Sequence, residues 1–122
     1  MDKKIRDIHE RIYNYVIRVL KLLKQLSKTP ENLVIINQLS RAITSTGAND
    51  MEADGCLTRK DFIHKYGLVL KEAKESDYWL NIIADTNSNL KPRMHDLIKE
   101  GKEIIKIVST IIYKTKINSN KK

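Results

Sequence analysis

From Ile5 onward, apolar side chains recur at alternating steps of three and four: Ile5, Ile8, Ile12, Tyr15, Val19, Leu22, Leu26. That spacing places one stripe along a single face of an α-helix and fits no β-strand, whose side chains alternate with a period of two. The pattern predicts a helix from about Lys3 to Ser27. Val16, Leu20 and Leu23 lie beside the stripe and widen it beyond a two-stranded coiled-coil seam.

The same period returns three more times. Thr29-Pro30-Glu31 is a start signal: Thr caps, Pro suits the first helical position, and Glu favours the positive helix end. Ile35, Leu39, Ala42, Thr46, Asn49 and Ala53 form the second stripe, and Gly55 is its expected stop. Thr58 with Asp61 resembles a capping box with Asp in place of Glu. Phe62, Tyr66, Val69, Ala73, Ser76, Leu80 and Ile83 form the third stripe, broken by Asn87-Ser88-Asn89. The fourth helix is expected from near Pro92, with Met94, Leu97, Gly101, Ile104, Val108 and Ile111 as its stripe and Ile98, Ile105 and Ile112 beside it. Gly101 is unfavourable inside a helix by about 1 kcal/mol relative to Ala, so a close neighbour is the expected reason for it.

Helices of this length joined by short links become antiparallel neighbours. The expected fold is therefore all-α, an up-down-up-down antiparallel four-helix bundle over residues 1–118, with 119–122 as a basic polar tail. Helix 2 carries small residues where a core helix usually carries Leu or Ile. Ala42, Thr46 and Ala53 let neighbouring backbones approach, and Tyr66 and Leu70 are expected to fill the space opposite.

Composition narrows the chemistry. The lone Cys56 has no internal disulfide partner, no run approaches a membrane span, and MDKKIRDIHE lacks the apolar stretch of a signal peptide. A cytoplasmic protein with no membrane contact is expected. Asp61-Phe62-Ile63-His64 is a single Asp-x-x-His whose Asp serves as a cap residue; His9 and His95 have no Glu three positions before them. Glu52, Glu72 and Glu75 can meet in a bundle, but salt bridging accounts for them as well as metal binding does. No phosphate-binding glycine loop, nucleophile elbow or Cys/His cluster is present. Neither an enzyme nor a bound metal or cofactor is expected.

The formal charge is +8, carried mostly by Lys, which suits phosphate backbones better than bidentate base reading. The many Lys, Ile and Asn also fit an A/T-rich gene. Lys21, Lys24 and Lys28 fall on one face of helix 1; Lys99, Lys102 and Lys106 do so on helix 4, and Lys114 and Lys116 extend the charge towards Lys121 and Lys122. These lysines are the candidate contacts to RNA or DNA, mostly without sequence reading. A solvated face explains the same spacing, and Glu100 and Glu103 interleave with the helix 4 set. Tyr78 and Trp79 are capable of stacking on bases, but their helical spacing beside Leu80 and Ile83 points to core or interface. The apolar faces of helices 1 and 4 are wide enough to leave a surplus for a subunit contact.

The run RAITSTGANDMEADG, followed by LTRKDFIHKYGLVLKEAKESDYWLNII, resembles the four-helix bundle proteins encoded by intervening sequences in bacterial 23S ribosomal RNA genes. That family includes proteins once labelled S23 ribosomal proteins and is related to accessory proteins of diversity-generating retroelements. Arg41-Ala42, Gly47-Ala48-Asn49 leading to Glu52, Thr58-Arg59-Lys60-Asp61-Phe62, Lys71-Glu72-Ala73 and Tyr78-Trp79-Leu80 carry the resemblance, which covers about residues 38–85. Asp50-Met51 and Gly55-Cys56-Leu57 depart from the pattern. The resemblance implies a ring-shaped homopentamer, and its retroelement relatives imply nucleic-acid binding and a reverse transcriptase as partner. Arg41, Asn49, Glu52, Glu72 and Trp79 are then expected in the bundle's polar core or at the subunit contact. The alternative function is a scaffold that recruits a partner enzyme.

Overall fold

The computed structural model describes residues 3–120, with side chains from 7 to 118. It is an all-α bundle: α1 spans Lys3–Leu23, α2 Pro30–Asp54, α3 Arg59–Thr86 and α4 Lys91–Asn120. Each helix packs against its neighbours in sequence, and α1 closes the ring against α4. The α2–α3 contact is the most extensive. No described helix is long and apolar enough to cross a membrane.

The caps act where the sequence places them. The Thr29 side chain accepts from the Asn32 N–H at 3.2 Å, and Thr58 accepts from the Asp61 N–H at 3.1 Å. Each satisfies a donor that a helix start leaves without an intrahelical partner. α1 stops earlier than the periodicity implies. Gln25 and Leu26 donate backbone N–H groups to Leu22 and Leu23 carbonyls three residues back, so the chain tightens into a turn after Leu23. Leu26 is still buried, now from the turn. α4 runs to Asn120 and so includes the first two residues of the expected tail; Lys121 and Lys122 lie outside the described residues.

The stripes form the core. Ile8, Ile12, Tyr15, Val19 and Leu22 of α1 are buried with Tyr66, Val69, Leu80 and Ile83 of α3 and Met94, Leu97, Ile104 and Val108 of α4. The Ile5 side chain is outside the described set. On α2 the register differs from expectation at one position. Asp50 is buried, whereas Asn49 is only half-buried. The inward line is Leu39, Ala42, Ile43, Thr46, Asp50 and Ala53.

Small residues do permit close helix contact. Ala42 and Thr46 on α2, and Ala73 and Ser76 on α3, are all fully or almost fully buried. The two hydroxyls are satisfied by carbonyls of their own helices: Thr46 Oγ1 donates to Ala42 O at 2.8 Å and Ser76 Oγ to Glu72 O at 2.9 Å. Neither needs a partner helix. At Gly101 the close neighbour is a side chain rather than a backbone. A Cβ there would stand 2.9 Å from Tyr15 Cζ, so the glycine makes room for the aromatic ring of α1.

Candidate nucleic-acid interface

The candidate lysines separate into two groups. Lys99, Lys102 and Lys106 are exposed on the outer side of α4, with Lys114 and Lys116 exposed beyond them. Glu100 and Glu103, which interleave with them in sequence, turn towards α1. There Arg11 grips both: its Nη2–H donates to Glu100 at 2.6 Å and to Glu103 at 2.8 Å, and Nε–H adds a second bond to Glu100 at 3.0 Å. Those bonds, Glu100 foremost, also hold the Arg11 guanidinium charged well beyond its usual range. Lys102 is not free either, because it pairs with Asp77 of α3 at 3.1 Å. Among the described residues no ion pair engages Lys99, Lys106, Lys114 or Lys116.

Lys21, Lys24 and Lys28 do not share a helix face. All three are exposed, but only Lys21 lies on α1; Lys24 is in the tightened turn and Lys28 in the link to α2. Lys28 Nζ donates to the Leu26 carbonyl at 3.4 Å. The early end of α1 converts an expected stripe into a cluster at one end of the bundle.

The polar residues tied to the resemblance also divide. Arg41 reaches from α2 to α3, donating to Glu75 at 2.6 Å and to Glu72 at 3.3 Å. The Trp79 indole N–H donates to the same Glu75 at 3.2 Å. Arg41 first, then Trp79, holds the Glu75 carboxyl below its usual range. Arg41, Glu72 and Trp79 thus form one surface network at the α2–α3 seam, completed by Glu75. Asn49 is not part of it: its amide donates to Ser45 O on its own helix at 2.9 Å. Glu52 is exposed and pairs with Lys65 at the surface, so it belongs to no polar core.

The buried polar cluster forms around Asp50, one position off the expected α2 stripe, with Tyr66 of the α3 stripe and His9 of α1. Asp50 is 4% exposed. It accepts from the Tyr66 hydroxyl at 2.6 Å and lies 2.8 Å from His9 Nδ1 through both carboxylate oxygens. Three helices therefore meet at one carboxylate. Burial, assisted by Asp50, pushes the Tyr66 phenol well above its ordinary range. The only signal in the sequence was Asp50 itself, a charged residue one position from the expected stripe. Among the described residues, no group of three or more His, Cys, Asp or Glu is placed to hold a metal ion.

Comparison with known proteins agrees with this architecture. The family model described as 23S rRNA-intervening sequence protein matches residues 6–110. A solved structure from Bacteroides thetaiotaomicron, described as a protein with unknown function from the S23 ribosomal protein family, is similar at a TM-score of 0.81 and 31% identity. The alignment covers 90% of this chain and 98% of that one. No functionally curated protein matches the chain. The chain belongs to the 23S rRNA-intervening sequence protein family.

Proposed function

We propose that this protein is a non-catalytic, self-associating bundle that contacts RNA or DNA backbones through its lysines. The observation that carries this reading is the outer side of α4. Lys99 and Lys106 are exposed there without ion-pair partners among the described residues, while Arg11 draws Glu100 and Glu103 aside; Lys114 and Lys116 are exposed on other faces farther along α4. Cations without internal partners are available to replace the counterions of a phosphate chain. A gel-shift titration tests the reading: binding is expected at about 50 mM salt and should weaken steeply by about 200 mM. Absence of any RNA or DNA binding at low salt overturns it.

A scaffold that recruits a protein partner is supported by a different surface. Leu33, Val34 and Met51 are exposed along α2, and Met51 is 75% exposed. Exposed apolar side chains of this kind suit a subunit or partner contact. The homopentamer and the reverse-transcriptase partner implied by the resemblance would both draw on them. Light scattering that returns the mass of one 14.2 kDa chain at high concentration overturns the self-association, and a pull-down that recovers no reverse transcriptase counts against that partner.

A further inference from the structure

The outer side of α3 carries a stripe of its own: Lys60, His64, Gly67, Lys71, Lys74 and Tyr78, every one of them exposed. The steps are four, three, four, three and four, which hold a single line along a helix about 27 Å long at 1.5 Å per residue. The outer side of α4 carries a matching line from His95 through Lys99, Lys102 and Lys106 to Tyr113, also exposed throughout.

The two helices are antiparallel neighbours, and two contacts fix their register. Lys102 meets Asp77 at 3.1 Å, and Arg59 donates to the Asn118 carbonyl at 3.1 Å. Tyr78 therefore stands level with Lys99 and Lys102, Lys71 with Lys106, and Tyr113 with His64. Each line ends in a tyrosine beside the basic part of the other. Like charges brought side by side on neighbouring helices oppose folding unless an anion lies between them. The local acids offset only part of that charge: Asp77 pairs with Lys102, and Glu75, bonded to Arg41, also attracts Lys71, while no ion pair engages Lys71, Lys74, Lys99 or Lys106 among the described residues.

The rings are as exposed as the lysines. Tyr78 is 58% exposed and Tyr113 is 65% exposed. Tyr78 is also braced, since the Trp79 ring meets it edge-on with centroids 5.0 Å apart and planes at 74°. Trp79 is itself tied to Glu75. An aromatic face held in place and left in water near Lys74 and Lys99, which form no ion pair among the described residues, has the chemistry of a base-stacking platform.

We propose that the α3–α4 face is a binding surface for single-stranded nucleic acid, with Lys71, Lys74, Lys99 and Lys106 along the backbone and Tyr78 and Tyr113 stacked on unpaired bases. The proposal rests on the nucleic-acid reading above and adds the surface and the strandedness. Duplex bases hide their faces against each other, so the rings favour a single strand.

Fluorescence anisotropy with a labelled mixed-sequence 20-nucleotide strand, as RNA and as DNA, and with the corresponding duplex tests it at 50 mM salt. The double variant Lys71→Ala/Lys106→Ala should bind the single strand at least tenfold more weakly. Its log-affinity against log-salt slope should be shallower by about 1.4, at about 0.7 per lysine. Tyr78→Ala and Tyr113→Ala should each weaken single-strand binding about fivefold or more, leave duplex binding unchanged, and be rescued by Phe. Lys21→Ala/Lys24→Ala, at the α1 end, should stay within about twofold of wild type. Circular dichroism confirms that these surface variants keep their helices. Wild-type protein that binds neither strand nor duplex overturns this proposal together with the reading beneath it. Wild-type binding that only the Lys21/Lys24 variant weakens overturns the surface alone. Equal binding of strand and duplex, untouched by loss of the rings, overturns the stacking and with it the single-strand assignment.

Discussion

Asp50 joins three helices through one buried carboxylate. A buried carboxylate is unfavourable unless hydrogen bonds replace its water, and Tyr66 and His9 supply them. Replacing Tyr66 with Phe removes one donor and leaves the ring's packing intact. The variant is expected to lose about 1–3 kcal/mol of stability by denaturant titration. Tyr15 and Tyr66 also make the fold sensitive to alkali. Burial raises both phenols above the ordinary value, and Tyr15 Oη has no hydrogen-bond partner among the described residues. Their contribution is complete below the unfolded phenol pKa of about 10 and declines as pH rises above it. Thermal unfolding followed from pH 8 to 11 should show the midpoint falling above about pH 10, less so in Tyr66→Phe.

At the scale of the helices, two close contacts decide how the elements fit. Ala42 is fully buried on the most extensive interface, α2 against α3. Ala42→Phe should overpack that seam and cost about 1–3 kcal/mol in thermal or chemical unfolding. Gly101→Ala sets two effects against each other. Alanine favours the helix by about 1 kcal/mol, but its Cβ would come within 2.9 Å of the Tyr15 ring, which is fully buried and has little room to move. The collision should prevail, giving net destabilisation; in a Tyr15→Leu background the same change should become neutral or favourable. The helices themselves were legible from period and caps, because Thr29, Thr58 and the stripes act within a turn or two of chain. The end of α1 was not. Leu26 keeps the periodic spacing but is buried from a turn, and the hydrophobic pattern is the same in either conformation.

For the whole molecule the question is which surfaces remain free once the bundle closes. Arg11 removes Glu100 and Glu103 from the outer side of α4, and Lys102 joins α4 to α3 through Asp77. What remains is a basic outer side on α3 and α4 and the exposed apolar side chains Leu33, Val34 and Met51 on α2. Those side chains suit contact between copies, because a chain of charge +8 repels itself elsewhere. Val34→Lys/Met51→Lys is expected to bring the mass of the proposed assembly, measured by light scattering, down towards the 14.2 kDa single chain, with helix content unchanged.

By itself the sequence determined that four amphipathic helices form, where their caps lie, and that short links set neighbours antiparallel, since each of these follows from residues within a few positions of one another. Tertiary structure alone decided that Asp50 rather than Asn49 faces inward, that Arg11 takes up the acids of α4, and that the outer lines of α3 and α4 come level. A single residue step turns a side chain by about 100° around its helix, so rotation and register between helices, which local pattern constrains only loosely, govern which polar groups meet.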